Sequence, residues 1–259
     1  MTGLRPAALV ARFSVSELLW SPRTLAMIAL AATPLGLAVA YRVALALRMT
    51  ESAGAAVFSG LVSGAFFPFV APMLSLVYAG GVVRDDVEAG TLPYFLTRPL
   101  SRASFLSGKM LASFSMTLGL VLPSLVLVYY VALSPSGWAE VGARFPGLLR
   151  SLGVAALGLL AYNGIFALAG TLLKRPLLAG LFFIFGWQAV ATFVPGRARL
   201  LTVAHYMSSL VPSASSSGSV IAGLLGARSS TAVSILALAA IAAVTHALAL
   251  AAFANREVR

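Results

Sequence analysis

Apolar and polar positions alternate along this chain in blocks, with long continuous runs of Leu, Ala, Gly and Val separated by short charged stretches. Six runs are long enough to cross a bilayer as helices: about 24–46, 57–83, 107–133, 151–173, 177–195 and 231–254. A membrane β-barrel is excluded, because barrel strands alternate with a period of two and these runs do not. Residues 4–20 follow a helical period, with Arg5, Arg12 and Ser16 on one face, Val10 and Leu18 opposite, and Phe13 and Trp20 at the flank. That pattern predicts a helix lying at the membrane surface ahead of the first span. Between the fifth and sixth runs, about 196–230 is too long and apolar for a simple linker. Its parts "ARLLTVAHYMSSLV" and "SGSVIAGLLGA" read as short re-entrant or interfacial helices joined at "PSASSSG". The expected fold is therefore an all-α integral membrane protein, a single transmembrane domain over 1–259.

Composition sharpens this picture: 60% of residues are hydrophobic, 10% are charged and the mean hydropathy is +0.97, far from the balance of a water-soluble domain. The net charge of +11 does not indicate nucleic acid, since Arg and Lys gather at the ends of apolar runs and not along one soluble face. Counted over the loops, 11 basic residues fall on the side of the two termini and 7 on the other, which predicts cytoplasmic termini. The N-terminus lacks the apolar core and small-residue cleavage site of a secretory signal and reads as retained. With no Cys there are no disulfides, thiolate metal sites or cysteine nucleophiles.

The most informative stretch is "GVVRDDVEAGTLPYFLTRPLSRASFLSGKM", residues 81–110, where Arg84, Asp85, Asp86, Glu88, Arg98, Arg102 and Lys109 lie between two apolar runs. Arg84 to Glu88 extends the second span into water, and Gly90 offers a helix stop. Thr91 caps a short helix with Pro93 in its first turn, which presents Leu92, Tyr94, Phe95 and Leu96 before Pro99 ends it. Ser101 then caps the helix that runs through Lys109 into the third span. A one-turn helix with exposed Leu, Tyr and Phe between charged flanks reads as a plug for a partner's groove.

The order of "DVEAGTL", "PLSR" and "GK" resembles the membrane subunits of type-2 ABC exporters, the ABC-2 family, over about 25 residues. One departure is Asp86, where the family more often has Glu; the charge is preserved. The resemblance implies that the cytoplasmic loop 84–109 carries a coupling helix for an ATP-binding subunit, with Asp86, Glu88, Gly90, Thr91, Leu92, Pro99, Ser101 and Arg102 forming the motif and Tyr94 and Phe95 as contacts. "LLKRPL", with Lys174 and Arg175, would be a second cytoplasmic contact. It further implies two ATPase subunits with two permease subunits, a homodimer in a bacterial-type cytoplasmic (inner) membrane, with ATP and magnesium held by the ATPase and no cofactor bound by this chain. Independently, "SFLSGKM" lacks the glycine spacing and the Ser or Thr of a P-loop, so Gly108-Lys109 is no nucleotide site.

Other candidates are weaker. Asp85, Asp86 and Glu88 are too local for a magnesium or calcium site, and ion pairs with Arg84, Arg98 or Arg102, or with a partner, are the expected fate of these acids. His246, Asn163 and Gln188 fall inside spans, where interhelical hydrogen bonds are expected ahead of substrate contact or proton relay. His205 lies in the outer loop. Gly60 and Gly64 have the spacing for close helix contact, and Pro34, Pro68, Pro72 and Pro123 invite kinks. An intramembrane enzyme is disfavoured for want of Cys, paired His or any mid-span Asp or Glu. The uncharged, Leu-, Phe- and Ala-rich spans point to an apolar or amphipathic cargo; mechanical signalling to an extracytoplasmic partner is the alternative.

Overall fold

The computed structural model describes residues 4–47, 53–88, 101–188, 200–211 and 229–255. Helices α1 (Leu4–Leu19) and α2 (Pro22–Ala46) are followed by α3 (Gly54–Leu61), a π-helical stretch (Val62–Val70) and α4 (Ala71–Glu88). Next come α5 (Arg102–Leu133), a 3-10 turn at Ser134–Ser136 and α6 (Trp138–Leu172). Helix α7 (Pro176–Leu181) runs into a second π-helical stretch (Phe182–Gln188), and α8 (Val203–Leu210) and α9 (Thr231–Ala254) complete the described chain.

Five of these helical stretches are long and apolar enough to cross a membrane: Pro22–Ala46, Gly54–Asp86, Arg102–Ser136, Trp138–Leu172 and Thr231–Ala254. The span expected at 177–195 is described as helix only over Pro176–Gln188; the rest of it lies outside the described residues. Most of the 196–230 loop lies outside them too, including "PSASSSG" and "SGSVIAGLLGA", whereas α8 falls within "ARLLTVAHYMSSLV". Helix α8 is not a free surface element: Met207 is buried, and a Cβ at Gly158 of α6 would collide with its side chain.

Helix α6 begins well before the expected residue 151. Gly137, at φ +95°, breaks the chain before it, and the charges that seemed to mark a loop sit on the exposed side of a helix that buries Val141 and Leu148. Glu140 and Arg144 pair one turn apart there. At 1.5 Å per residue α5 and α6 are about 48 and 52 Å long, more than the roughly 30 Å of hydrocarbon in a bilayer.

Helices α5 and α6 form an antiparallel pair at the centre. Helix α4 packs against both, α1, α2 and α3 lean on α5, and α9 lies mainly along α6. Among the described residues, Tyr129, Tyr162, Phe66, Phe67, Phe105 and Phe166 are some of the largest fully buried side chains. Because lipid is as apolar as these residues, their contribution in a bilayer comes from close packing and not from leaving water. Glycines set where the rods touch: a Cβ at Gly170 of α6 would lie 2.5 Å from the Gly80 carbonyl oxygen of α4, and one at Gly108 of α5 would lie 2.5 Å from the Ala7 carbonyl oxygen of α1. Gly60 and Gly64, whose spacing permits close helix contact, face open space within this single chain.

Proline acts differently at each site. Pro68 falls inside the first π-helical stretch, where the wider turn accommodates its ring and missing N–H, while Pro72 sits in the first turn of α4. Near Pro34 of α2, the Ser124 hydroxyl of α5 donates to the Ala31 carbonyl, joining the two helices where proline has weakened the ladder.

Candidate functional site

The helices alternate direction, so their termini gather at two ends of the bundle. At one end Arg42 of α2 donates to Ser134, the Ala53 amide donates to Tyr41 Oη at 2.8 Å, and Tyr129 Oη donates to the Val141 carbonyl. At the other end meet the start of α2, the end of α4, the start of α5 and the end of α9. The segment between α4 and α5 leaves from this second end, and so does the turn carrying Lys174 and Arg175.

The charged end is built from pairs. Helix α4 finishes with acids near its C-terminus, where the helix dipole disfavours negative charge, so Asp85 and Asp86 need cations close by. Arg23, in the first turn of α2, reaches Asp85 Oδ2 at 2.7 Å. Gly81 leaves room for that carboxylate to fold back along its own helix, since a Cβ there would lie 2.6 Å from Asp85 Oδ2. Lys109 of α5 reaches Asp86 Oδ2 at 2.6 Å. The two pairs differ in environment. The side chains of Arg23 and Asp85 are 40% and 38% exposed, those of Lys109 and Asp86 only 11% and 8%. The first is a solvent-screened pair of small worth, whereas removing one partner of the second leaves a buried charge without its ion pair.

Neutral hydrogen bonds extend the same framework. Tyr78 Oη of α4 donates to Thr24 Oγ1 of α2 at 3.1 Å, and that hydroxyl donates to the Leu18 carbonyl of α1 at 2.6 Å. Ser101, with extended dihedrals, caps α5 by accepting from the Ser104 amide at 3.1 Å, as its place before the third span predicts. Arg102 donates through Nη1 to the Ala254 carbonyl at 3.1 Å, placing a cation on the negative end of α9. One turn further on, Phe105 stacks on Phe253 of α9 with ring centroids 6.1 Å apart.

Of the residues singled out in the sequence, Asp86, Ser101 and Arg102 thus stand at the two roots of the α4–α5 segment. Gly90, Thr91, Leu92, Tyr94, Phe95 and Pro99 lie outside the described residues, and of Glu88 only the helical backbone is described. Lys174 and Arg175 are exposed in the turn after α6, with Leu172, Leu173, Leu177 and Leu178 exposed around them. Pro176 starts α7 immediately afterwards, where its missing N–H costs nothing. The sequence places the acids against Arg84, Arg98 or Arg102, or against a partner; the structure adds Arg23 for Asp85 and Lys109 for Asp86. The available signal was position alone: both cations lie within about two turns of a helix start facing that end.

Helix α1 keeps the periodicity read from the sequence, but its Val10 and Leu18 pack against the bundle core, while Leu9, Phe13 and Leu19 are exposed, as is Trp20 just beyond its end. Inside the bundle, Asn163 of α6 donates through Nδ2 to Ser113 Oγ of α5 at 2.6 Å, an interhelical bond of the expected kind. Its Oδ1 is buried without a partner. His246 behaves otherwise: its Nδ1 donates to the Ala242 carbonyl of its own helix at 2.8 Å, while Gly164 of α6 makes room for its ring and for Thr245. Only the helical backbone of Gln188 is described. His205 lies 3.2 Å from Ser229 Oγ, tying the start of α8 to the approach to α9.

Long apolar helices packed through glycine contacts, with charge confined to their ends, define a multi-pass membrane protein of the helical class. Residues 21–189 match the family described as ABC-2 family transporter protein. The match covers well over half of the chain, and the protein belongs to that family of ABC permease membrane components. Permeases of this family work with an ABC ATPase subunit. Comparison with curated proteins gives no match.

Proposed function

We propose that this chain is the permease subunit of an ATP-binding-cassette exporter, and that the charged end of the bundle is where a separate ATPase subunit docks. The observation that carries the proposal is the convergence at one end of the roots of the 89–100 segment, the Lys174-Arg175 turn and α1, cross-tied by Arg23–Asp85, Lys109–Asp86 and Arg102–Ala254. A load applied to the segment from outside meets a braced platform there. On this reading Thr91, Leu92, Tyr94 and Phe95 enter a groove of the ATPase, with Glu88, Gly90 and Pro99 shaping the approach, and ATP and magnesium are handled in the ATPase. Two such ATPases serve a homodimer of this chain in a cytoplasmic membrane, the charged end and both termini facing the cytoplasm. The cargo is apolar or amphipathic, in keeping with spans that carry no mid-membrane acid.

Co-expression with an ATP-binding-cassette ATPase should yield a stable complex whose ATPase activity, or its coupling to transport, falls with Glu88→Ala or Phe95→Ala. A purified chain that binds no such ATPase, with function indifferent to these substitutions, overturns the proposal. Reconstituted ATP-dependent flux identifies the cargo.

A further inference from the structure

We infer that Lys109 is a positioning residue that makes α4, α5 and α9 move as one body at the roots of the 89–100 segment; the inference rests on the coupling role proposed above. Lys109 lies in the third turn of α5 and does three things from one place. Its ammonium sits 2.6 Å from Asp86 Oδ2, joining α5 to the end of α4. It lies 5.6 Å from the centroid of the Phe105 ring, a cation–π contact within α5. That ring is buried and stacks on Phe253 in the last turn of α9. Arg102, one turn before Phe105, grips the Ala254 carbonyl of the same helix end. A continuous line of contacts therefore runs from α4 through Asp86, Lys109, Phe105 and Phe253 to α9.

Burial decides why this pair and not its neighbour carries the role. Arg23–Asp85 is open to water and ions, so it can exchange partners at little cost. Asp86–Lys109 is nearly dry, and separating its members leaves two desolvated charges, so the pair holds as a unit. A push entering the segment at either root then displaces α4 and α5 together and takes α9 with them. Without the ammonium, the root of α4 loses this tie to α5, and the Phe105 ring loses the cation above it. Lys109 touches neither nucleotide nor cargo in this scheme; it acts through Asp86 and Phe105.

The absence of native Cys makes a direct test clean. Spin labels placed by Val87→Cys and Asn255→Cys, in the last turn of α4 and at the end of α9, read their separation by double electron–electron resonance in the full chain. The parent should give one narrow distance distribution, Lys109→Met and Asp86→Asn should each broaden it, and Lys109→Arg, which keeps the charge, should leave it narrow. In the complex with the ATPase, Lys109→Met should lower coupling between about 2- and 30-fold, the range produced along coupled networks, while basal hydrolysis persists and Lys109→Arg restores it. An unchanged distribution in Asp86→Asn or Lys109→Met overturns the inference even if coupling falls. If no ATPase binds, the coupling proposal fails by itself, and the distance distribution still decides whether Lys109 holds the three helices together.

Discussion

Gly170→Ala is the smallest change that should loosen the bundle. The added methyl carbon would lie 2.5 Å from the Gly80 carbonyl oxygen, 3.2 Å from the carbon of that carbonyl and 3.4 Å from the Ala79 oxygen. Ordinary contact begins at 3.4 Å, so the shortfall is 3.4 − 2.5 = 0.9 Å, and the obstacle is backbone that no rotamer change can move aside. Helices α4 and α6 must separate by about that amount. A gap of 0.5–1 Å forfeits roughly a quarter to a half of each dispersion contact along the seam. Overpacking of this kind costs about 1–3 kcal/mol, and the rigidity of the obstacle places Gly170→Ala in the upper half. For a chain of this size that is a fall in Tm of about 5–10 °C. Gly80→Ala makes a sharp contrast, because its Cβ would meet only the flexible Leu76 Cδ1 at 3.4 Å. Gly119→Ala and Gly153→Ala meet nothing within 4 Å and should hold or gain stability through helix propensity. Thermal unfolding in mild detergent, followed by tryptophan fluorescence, ranks the four variants. A Gly170→Ala melt within about 2 °C of the parent, or a Gly80→Ala melt equally depressed, would refute the reasoning.

Three further outcomes are expected. Ser113→Ala removes the hydrogen-bond partner of Asn163 Nδ2 and should cost about 0.6 kcal/mol and at most about 1.7, whereas the same substitution in an Asn163→Leu background should cost almost nothing; a double-mutant cycle in detergent melts measures the difference. Ser101→Ala should cost about 1 kcal/mol by uncapping α5 and should speed hydrogen exchange at the amides of the first turn of α5. Raising salt to about 1 M should erase the destabilisation of Asp85→Asn but leave that of Asp86→Asn largely intact, because only the first pair lies within reach of screening ions.

The long apolar rods were legible in the sequence because spanning a bilayer demands length and hydropathy, and both are local properties. The end of α9 and the Ser101 cap of α5 were read correctly for that reason. The start of α6 was not, since Glu140, Arg144 and Arg150 look like loop residues until Val141 and Leu148 are seen buried beneath them. The acidic cluster was legible as a site, but Arg23 and Lys109 were not anticipated among its cations. Arg23 is 62 residues from Asp85, and only the antiparallel return of the chain brings them together. The close contacts of Gly80, Gly108 and Gly170 were missed for the same reason, while the Gly60 and Gly64 spacing, which satisfies a local pattern, makes no close contact in this chain.

The π-helical stretch Val62–Val70 gives the second span a divided allegiance. Each residue of an α-helix advances about 100° around the axis, and a π-turn holds more residues, so the faces above and below the stretch are out of phase. Above it, Phe58 meets the Tyr129 ring of α5 edge-on at 5.2 Å; below it, Gly80 meets Gly170 of α6. The second π-helical stretch lies alongside, Phe185 touching Phe69 with ring centroids 5.8 Å apart. What hydropathy counts as one rod is two half-helices rotated against each other, bearing on different neighbours at different azimuths.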